Sequence, residues 1–357
     1  MKCNGIPASN ISKHRMLETS NAGIALRSIP AYNSLQRGER TKMEMLIQRA
    51  QGCLLGQIAG DSLGSLVEFK PPKEIRRLYP QGVRDLADGG VWGTLAGQPT
   101  DDSEMALALA RMLAEHGRYA PDAAMEAYTD WMQSGPFDCG MTIASALRGQ
   151  LNPASQANGA LMRVSPLGIF GAKHSLVDVA QWAEQDALLT HPHAICQQTN
   201  ALYSMAIAHA IRTGPAPLEL YEQIVSWAKS MEIEQALLAA IQNAADHPPH
   251  DFCIQQGWVL IAFQNALWQL LHAPNVEEGV VDTVMRGGDT DTTAAICGAL
   301  LGAVYGLDAI PGRWVKAIIS CRPQAGMPGV HRPRPKRFWP VDVLDLAEKL
   351  VSDATAS

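Results

Sequence analysis

Apolar residues recur at helical spacing along most of the chain from Thr41 onward. Met45, Leu46, Arg49, Cys53, Leu54 and Ile58 set this spacing in the first stretch. Further stretches of the same period cover 103–116, 121–134, 140–149, 176–187, 195–212, 218–230, 234–245, 257–272, 276–285, 312–320 and 341–351. Breakers such as Gly135-Pro136, His191-Pro192 and His247-Pro248-Pro249 separate them. No convincing alternating strand appears. The pattern predicts a single all-α domain over residues 41–357, with the charged, proline-rich RPRPKRFWP (332–340) as a surface loop of polyproline II character. Two glycine series stand out within it. Gly52, Gly56, Gly60 and Gly64 recur every fourth residue, as do Gly298, Gly302 and Gly306. A glycine inside a helix costs about 1 kcal/mol against alanine. Two such stripes therefore predict helix faces that a neighbouring backbone approaches closely.

Composition agrees with helices. Hydrophobic residues make up 47% of the 357-residue chain and aromatics only 6%, so small aliphatic side chains carry the core. The longest uncharged run, Thr292 to Leu307, is too short and too rich in glycine for a membrane span and reads as a buried helix. The net charge of −6 gives no argument for nucleic-acid binding. Seven scattered cysteines without a CxxC pair, and an N-terminus without an apolar run, make a reduced, cytoplasmic protein the expectation. Residues 1–40 differ from the rest. Six basic side chains against Glu18 and Glu39 give this arm +4, which leaves −10 on the body. Such an arm is either a solvated tail or a partner-binding extension.

Candidate chemistry sits where two helices begin. PTDDSEMALALA places Thr100, Asp101, Asp102 and Glu104 at the start of an alanine-rich helix, and RGGDTDTT places Asp289, Asp291 and Thr292 before another. One reading is helix capping, with Asp101 and Glu104 as a capping box and Asp289 or Asp291 as a cap. The other is a metal site. One capping oxygen suffices for a helix, yet each cluster offers two carboxylates with flanking threonines, and these repel unless a cation lies between them. Oxygen ligands without histidine or cysteine fit Mg²⁺, Mn²⁺ or Ca²⁺. Glu68 is a third candidate, in the last turn of a helix where a carboxylate is unfavourable. Asp61 lies two turns earlier on the same side. Asp138 and Asn158 are loop residues beside glycine, and Asn158-Gly159 reads as a turn. His191-Pro192-His193 lacks the spacing of a zinc peptidase and reads as a locally hydrogen-bonded loop. There is no GxxxxGK[ST] loop and no GxSxG elbow.

GCLLGQIAGDSLGSLVEF, PTDDSEMALALA, SGPFDCGMT, NGALMRVSPLG, LTHPH and RGGDTDTTAAICGALLGAVYG occur in that order between residues 52 and 306. In this the chain resembles the ADP-ribosylglycohydrolase family, which includes the dinitrogenase-reductase-activating glycohydrolases. The resemblance implies a compact orthogonal helical bundle holding two divalent cations, Mg²⁺ or Mn²⁺. It implies metal ligands at Thr100, Asp101, Asp102, Asp289, Asp291 and Thr292, with Asp291 bridging. It implies Asp102 or Asp291 as a water-activating base, with Glu68 and Asp138 assisting at the sugar, and Asn158, Gly159, Arg163 and Gly288 lining the substrate cleft. Ala157, Met141 and Ile143 depart from the residues common in relatives and bear on substrate preference. The implied partner is an ADP-ribosylated protein, arginine-linked first, with serine-linked, poly- and O-acetyl-ADP-ribose as alternatives. The basic arm adds an expectation from another class, an immunity protein whose residues 1–40 block an ADP-ribosylating toxin.

Overall fold

The computed structural model describes residues 30–352. They form helices α1 (Pro30–Gly64), α2 (Pro72–Leu78), α3 (Asp101–His116), α4 (Pro121–Gln133), α5 (Met141–Ala146), α6 (Ser165–Gly171), α7 (Leu176–Leu188), α8 (Ala194–Thr213), α9 (Pro217–Ser230), α10 (Gln235–Asn243), α11 (Val259–His272), α12 (Val276–Met285), α13 (Thr290–Tyr305), α14 (Gly312–Ser320) and α15 (Val343–Val351). Tighter 3₁₀ turns cover Asn158–Arg163, Leu307–Ala309 and Lys336–Phe338. Among the described residues no strand forms, and β pairing is limited to isolated bridges at Gly89–Thr94 and Ala157–Trp258. The architecture is all-α.

Each periodic stretch carries a helix. The short elements α2, α6 and Asn158–Arg163 are the ones periodicity misses, because one or two turns cannot display a period. α2 and α6 each open on a proline in the first turn, the position proline favours. α1 starts at Pro30, well before its apolar pattern does. By contacts the chain divides between Met45 and Leu46. Residues 1–29 of the basic arm, with the partner role expected of them, lie outside the described residues.

α13 is apolar nearly all round and buried from Thr290 to Ala303, as a central helix must be. α8, α11 and α12 pack around it. The glycine stripes explain how the 52–64 part of α1 reaches it. A Cβ built on Gly56 would lie 2.2 Å from the Gly298 carbonyl oxygen, and one on Gly60 would lie 2.0 Å from that of Ala294. The same holds at Gly52 against Gly302 (2.5 Å) and at Gly64 against Thr290 (2.4 Å). The two helices run antiparallel with backbones touching, and the Thr290 hydroxyl closes the end with a 2.7 Å bond to the Gly64 carbonyl. This contact carries the end of α1 to the start of α13, where the acidic motifs lie.

The segment 332–340 is not the surface loop that its composition predicts. Arg334 is buried and makes a bidentate pair with buried Glu104, at 2.7 Å from both Nε and a terminal nitrogen. The same guanidinium donates to the carbonyls of Ser134 and Gly135. Phe338 and Trp339 are also buried, and the Trp339 indole donates to the Arg334 carbonyl at 2.7 Å. Arg332, Pro333, Lys336 and Arg337 face solvent while Arg334 and Pro340 turn inward. The segment thereby ties the first turn of α3 to the loop that carries Asp138.

Gly60→Ala should lower stability by about 1–3 kcal/mol, because a methyl group there meets rigid backbone. Gly312→Ala, where a Cβ meets nothing within 4 Å, should stay within about 0.5 kcal/mol of the parent. Urea unfolding of the two variants measures the difference.

Candidate active site

The capping reading of the acidic motifs fails because another residue does the capping. α3 begins after Thr100, whose side chain makes no cap bond. Instead Asp61 of α1, fully buried, accepts from the Thr100 amide (3.1 Å) and the Ser103 amide (3.1 Å). The Thr100 hydroxyl lies 2.9 Å from both Asp61 and Asp102. Glu104, the expected box partner, is spent on Arg334 and the Trp131 indole. Asp101 and Asp102 are therefore free of capping duty. Asp101 accepts from the Gly140 amide at 3.2 Å, while Asp102 Oδ1 is buried with no partner at all.

The start of α13 shares one feature with that of α3. Asp289 occupies the cap position without making a side-chain cap bond. Its Oδ2 accepts from the Asn158 amide group at 2.7 Å. Asp291 is buried in the first turn, where its Oδ1 accepts from the Thr292 amide at 3.0 Å. Glu68 arrives from the turn after α1. The next residue, Phe69, holds φ +62, an uncommon value for a non-glycine residue. Two backbone bonds fix it there, from the Phe69 amide to the Gly288 carbonyl (2.8 Å) and from the Gly288 amide to the Lys70 carbonyl (3.2 Å). Glu68 is thus tied through main chain to the residue before Asp289.

These groups line one cleft of about 380 Å³, within the range of small-molecule sites. Glu68, Asp101, Asp102, Asp138, Asp289 and Asp291 all face it, and among the described residues no lysine or arginine does. Oxygens of Glu68, Asp289 and Asp291 lie within 4.8 Å of one another, where two unit charges repel by roughly 3 kcal/mol at an effective dielectric near 20. Burial is the main cause that lifts these carboxyls, to about 7 at Glu68 and Asp101 and about 9 at Asp138, with mutual repulsion adding to it. Asp102 and Asp291 are pushed well above the usual carboxylate range for the same reasons. A group this acidic and this buried keeps protons or takes up cations. The donor set is all oxygen and mostly carboxylate, and Asp102 Oδ1 is an unpartnered buried acceptor beside it. Both features fit a hard divalent cation.

Other candidates fall differently. Asn158 and Gly159 line the cleft. Thr100 is buried behind it, on Asp61 and Asp102. Gly288 does not line the cleft but underlies it, where its φ of +79 and a Cβ only 1.9 Å from the Phe252 carbonyl oxygen require glycine. Arg163 is fully buried behind the floor rather than open to a ligand. It pairs with Asp186 at 3.1 Å, donates to Thr190 at 2.8 Å and stacks on Tyr128 at 4.4 Å. The sequence reading passed over Gln256 and Gly257, which also line the cleft, as does His191, the loop histidine bonded locally to the Thr190 hydroxyl at 2.8 Å. His193 is indeed a local cap, accepting from the Ile195 amide. His191 instead reaches the cleft, and burial followed by the charge of Arg163 lowers it to about 3, so it is a neutral imidazole there. The only sequence signal for it was the LTHPH segment.

Arg163→Met should cost about 3–5 kcal/mol by leaving Asp186 buried and unpaired. Arg163→Met with Asp186→Leu should recover a large part of the loss. Chemical denaturation of the single and double variants reads both.

The profile of the ADP-ribosylglycohydrolase family matches residues 42–346. The ADP-ribosyl-[dinitrogen reductase] glycohydrolase of Rhodospirillum rubrum is 31% identical over 286 residues, covering 76% of this chain and 90% of that protein. The ADP-ribosylarginine hydrolase Tri1 of Pseudomonas putida (strain GB-1) is 27% identical over 294 residues, covering 77% and 75%. The ADP-ribosylhydrolase ARH3 of Homo sapiens is 24% identical over 322 residues, covering 75% and 88%. A solved structure, an ADP-ribosylglycohydrolase-related protein complex, superposes with a TM-score of 0.70 at 27% identity over 86% of this chain and 98% of that one. With the fold, the ordered motifs and the acidic cleft in agreement, the chain belongs to the ADP-ribosylglycohydrolase family of glycosidases.

Proposed function

We propose that this chain hydrolyses the bond between C1″ of ribose and the side chain of an ADP-ribosylated protein, with arginine as the first acceptor. The observation that carries the reading is the convergence of two helix-start carboxylate pairs with Glu68 and Asp138 in one cleft that no basic side chain lines among the described residues. The names of the relatives support the substrate class. An acidic cleft also suits a linkage to a guanidinium better than a linkage to another acid.

Asp101, Asp102, Asp289 and Asp291, with Thr100 and Thr292 beside them, would hold two divalent cations, Mg²⁺ or Mn²⁺. Cations bound there would polarise sugar hydroxyls and lower the pKa of a nearby water. The chain's own groups supply the rest. Asp102, whose Oδ1 has no partner, and Asp291 are the bases available to take a proton from the attacking water. With cations bound to offset the burial and repulsion that hold them protonated, Glu68 and Asp138 would carry negative charge beside the ring, where an oxocarbenium-like transition state develops positive charge. Asn158 is held in place by Asp289 and, with Gly159, shapes the wall that receives the ribose. Gly159 leaves no room for a side chain, since a Cβ there would lie 2.9 Å from Ile143 and 3.1 Å from His191.

Chelator should abolish release of ADP-ribose from arginine-modified protein, and added Mn²⁺ or Mg²⁺ should restore it. Asp102→Ala, Asp289→Ala and Asp291→Ala should each lower kcat by about 10²–10⁴-fold with the fold intact by circular dichroism. Turnover unchanged by chelator and by all three substitutions would remove the cation-dependent reading. Serine-linked and acidic-linked substrates run in parallel identify the acceptor.

A further inference from the structure

Trp92 lies outside every segment used so far, yet its indole touches the acidic cluster. Its Nε1 donates to Glu68 Oε2 at 2.6 Å. Indole offers one donor and no acceptor, so this contact fixes a single orientation of the carboxylate. A short N–H to a carboxylate is also among the stronger hydrogen bonds. The bond engages one carboxylate oxygen of a residue that offers a ligand oxygen to the Glu68–Asp289–Asp291 group. We propose that Trp92 is a positioning residue that orients Glu68 for cation binding.

The surroundings of Trp92 are built to hold it there. Its loop is closed by reciprocal backbone bonds between Gly89 and Thr94, at 2.8 and 2.9 Å. The Val91 amide donates to the Ser65 carbonyl at 3.2 Å, which seats the loop on the turn that carries Glu68. Gly90, at φ +70, lies so close to Leu66 that a Cβ would come within 2.8 Å of its Cα. From the other side Arg332 donates to the Trp92 carbonyl at 2.8 Å, and its guanidinium lies 5.9 Å over the Phe137 ring. Phe137 in turn meets the indole at 6.1 Å between ring centroids. Since Phe137 precedes Asp138, one indole bridges the supports of two acidic residues. The backbone at Glu68 is already fixed through Gly288, but its side-chain torsions are not. The indole supplies that missing restraint, the role that outer-shell partners play for metal-binding carboxylates.

This inference rests on the cation site of the proposed function and adds Glu68 to the groups that hold a cation beside Asp289 and Asp291; its test separates the two. Mn²⁺ binding to the full chain, stripped with chelator, is measured by calorimetry. Trp92→Phe keeps a ring against Phe137 and removes the N–H. It should weaken Mn²⁺ about 10–100-fold. In a Glu68→Ala background the same change should matter by less than about twofold, because the group it acts through is gone. Trp92→Leu, run alongside at a temperature where both variants are folded, should show the same split. Equal weakening in both backgrounds, or none in either, overturns the positioning role. Mn²⁺ binding that follows the cycle without any ADP-ribose release by the parent chain overturns the functional reading alone. No Mn²⁺ binding by the parent overturns both.

Discussion

The structure depends on backbone contact between α1 and α13. Each glycine on that contact gives up about 1 kcal/mol of helix propensity against alanine. In exchange the two helices approach until the carbonyls of one fill the space where the Cβ atoms of the other would be. No side chain intervenes, so the register is rigid. The last turn of α1 then lies against the first turn of α13, and Asp61, Glu68, Asp289 and Asp291 are brought to one end of the bundle. Asp61 extends the arrangement to a third helix by capping α3 from outside, which fixes Asp101 and Asp102 facing the same cleft.

That geometry creates an electrostatic problem. Six carboxylates face a cleft that no lysine or arginine lines among the described residues, and burial adds to their repulsion. The cationic side chains nearby are committed elsewhere. Arg334 neutralises Glu104 and Arg163 neutralises Asp186, each pair fully enclosed. Neutral donors reach the cluster instead, from Asn158, Trp92 and the Gly140 amide. They orient the carboxylates but leave their charge uncompensated. Protons or bound cations must supply the balance. The strained φ at Phe69 is held at the same place, by the two bonds to Gly288 that set Glu68 beside Asp289.

Much of this was legible in the sequence, and the exceptions have physical reasons. Long helices declare themselves through period, and the glycine stripes announced a close approach without naming the partner. The acidic motifs were visible as an excess over what a cap needs. The capping residue was not, because Asp61 sits in the last turn of another helix and acts across a gap of 39 residues. Arg163 was assigned to the cleft by its place in a motif, yet its exposure depends on Asp186 and Tyr128, which come from two other helices. RPRPKRFWP read as solvent-facing because composition averages over residues, whereas Arg334, Phe338, Trp339 and Pro340 turn inward. Trp92 carried no local pattern at all, since what matters about it is a partner 24 residues away.

The central claim is that the α1–α13 contact assembles carboxylates into a cation-binding centre. Anomalous diffraction from crystals grown in Mn²⁺ tests it most directly. The account predicts anomalous peaks between the Asp101–Asp102 and Asp289–Asp291 pairs, at about 2.0–2.2 Å from carboxylate oxygens as hard divalent ions require. A cleft without such density at saturating Mn²⁺, its carboxylates paired through shared protons, would contradict it.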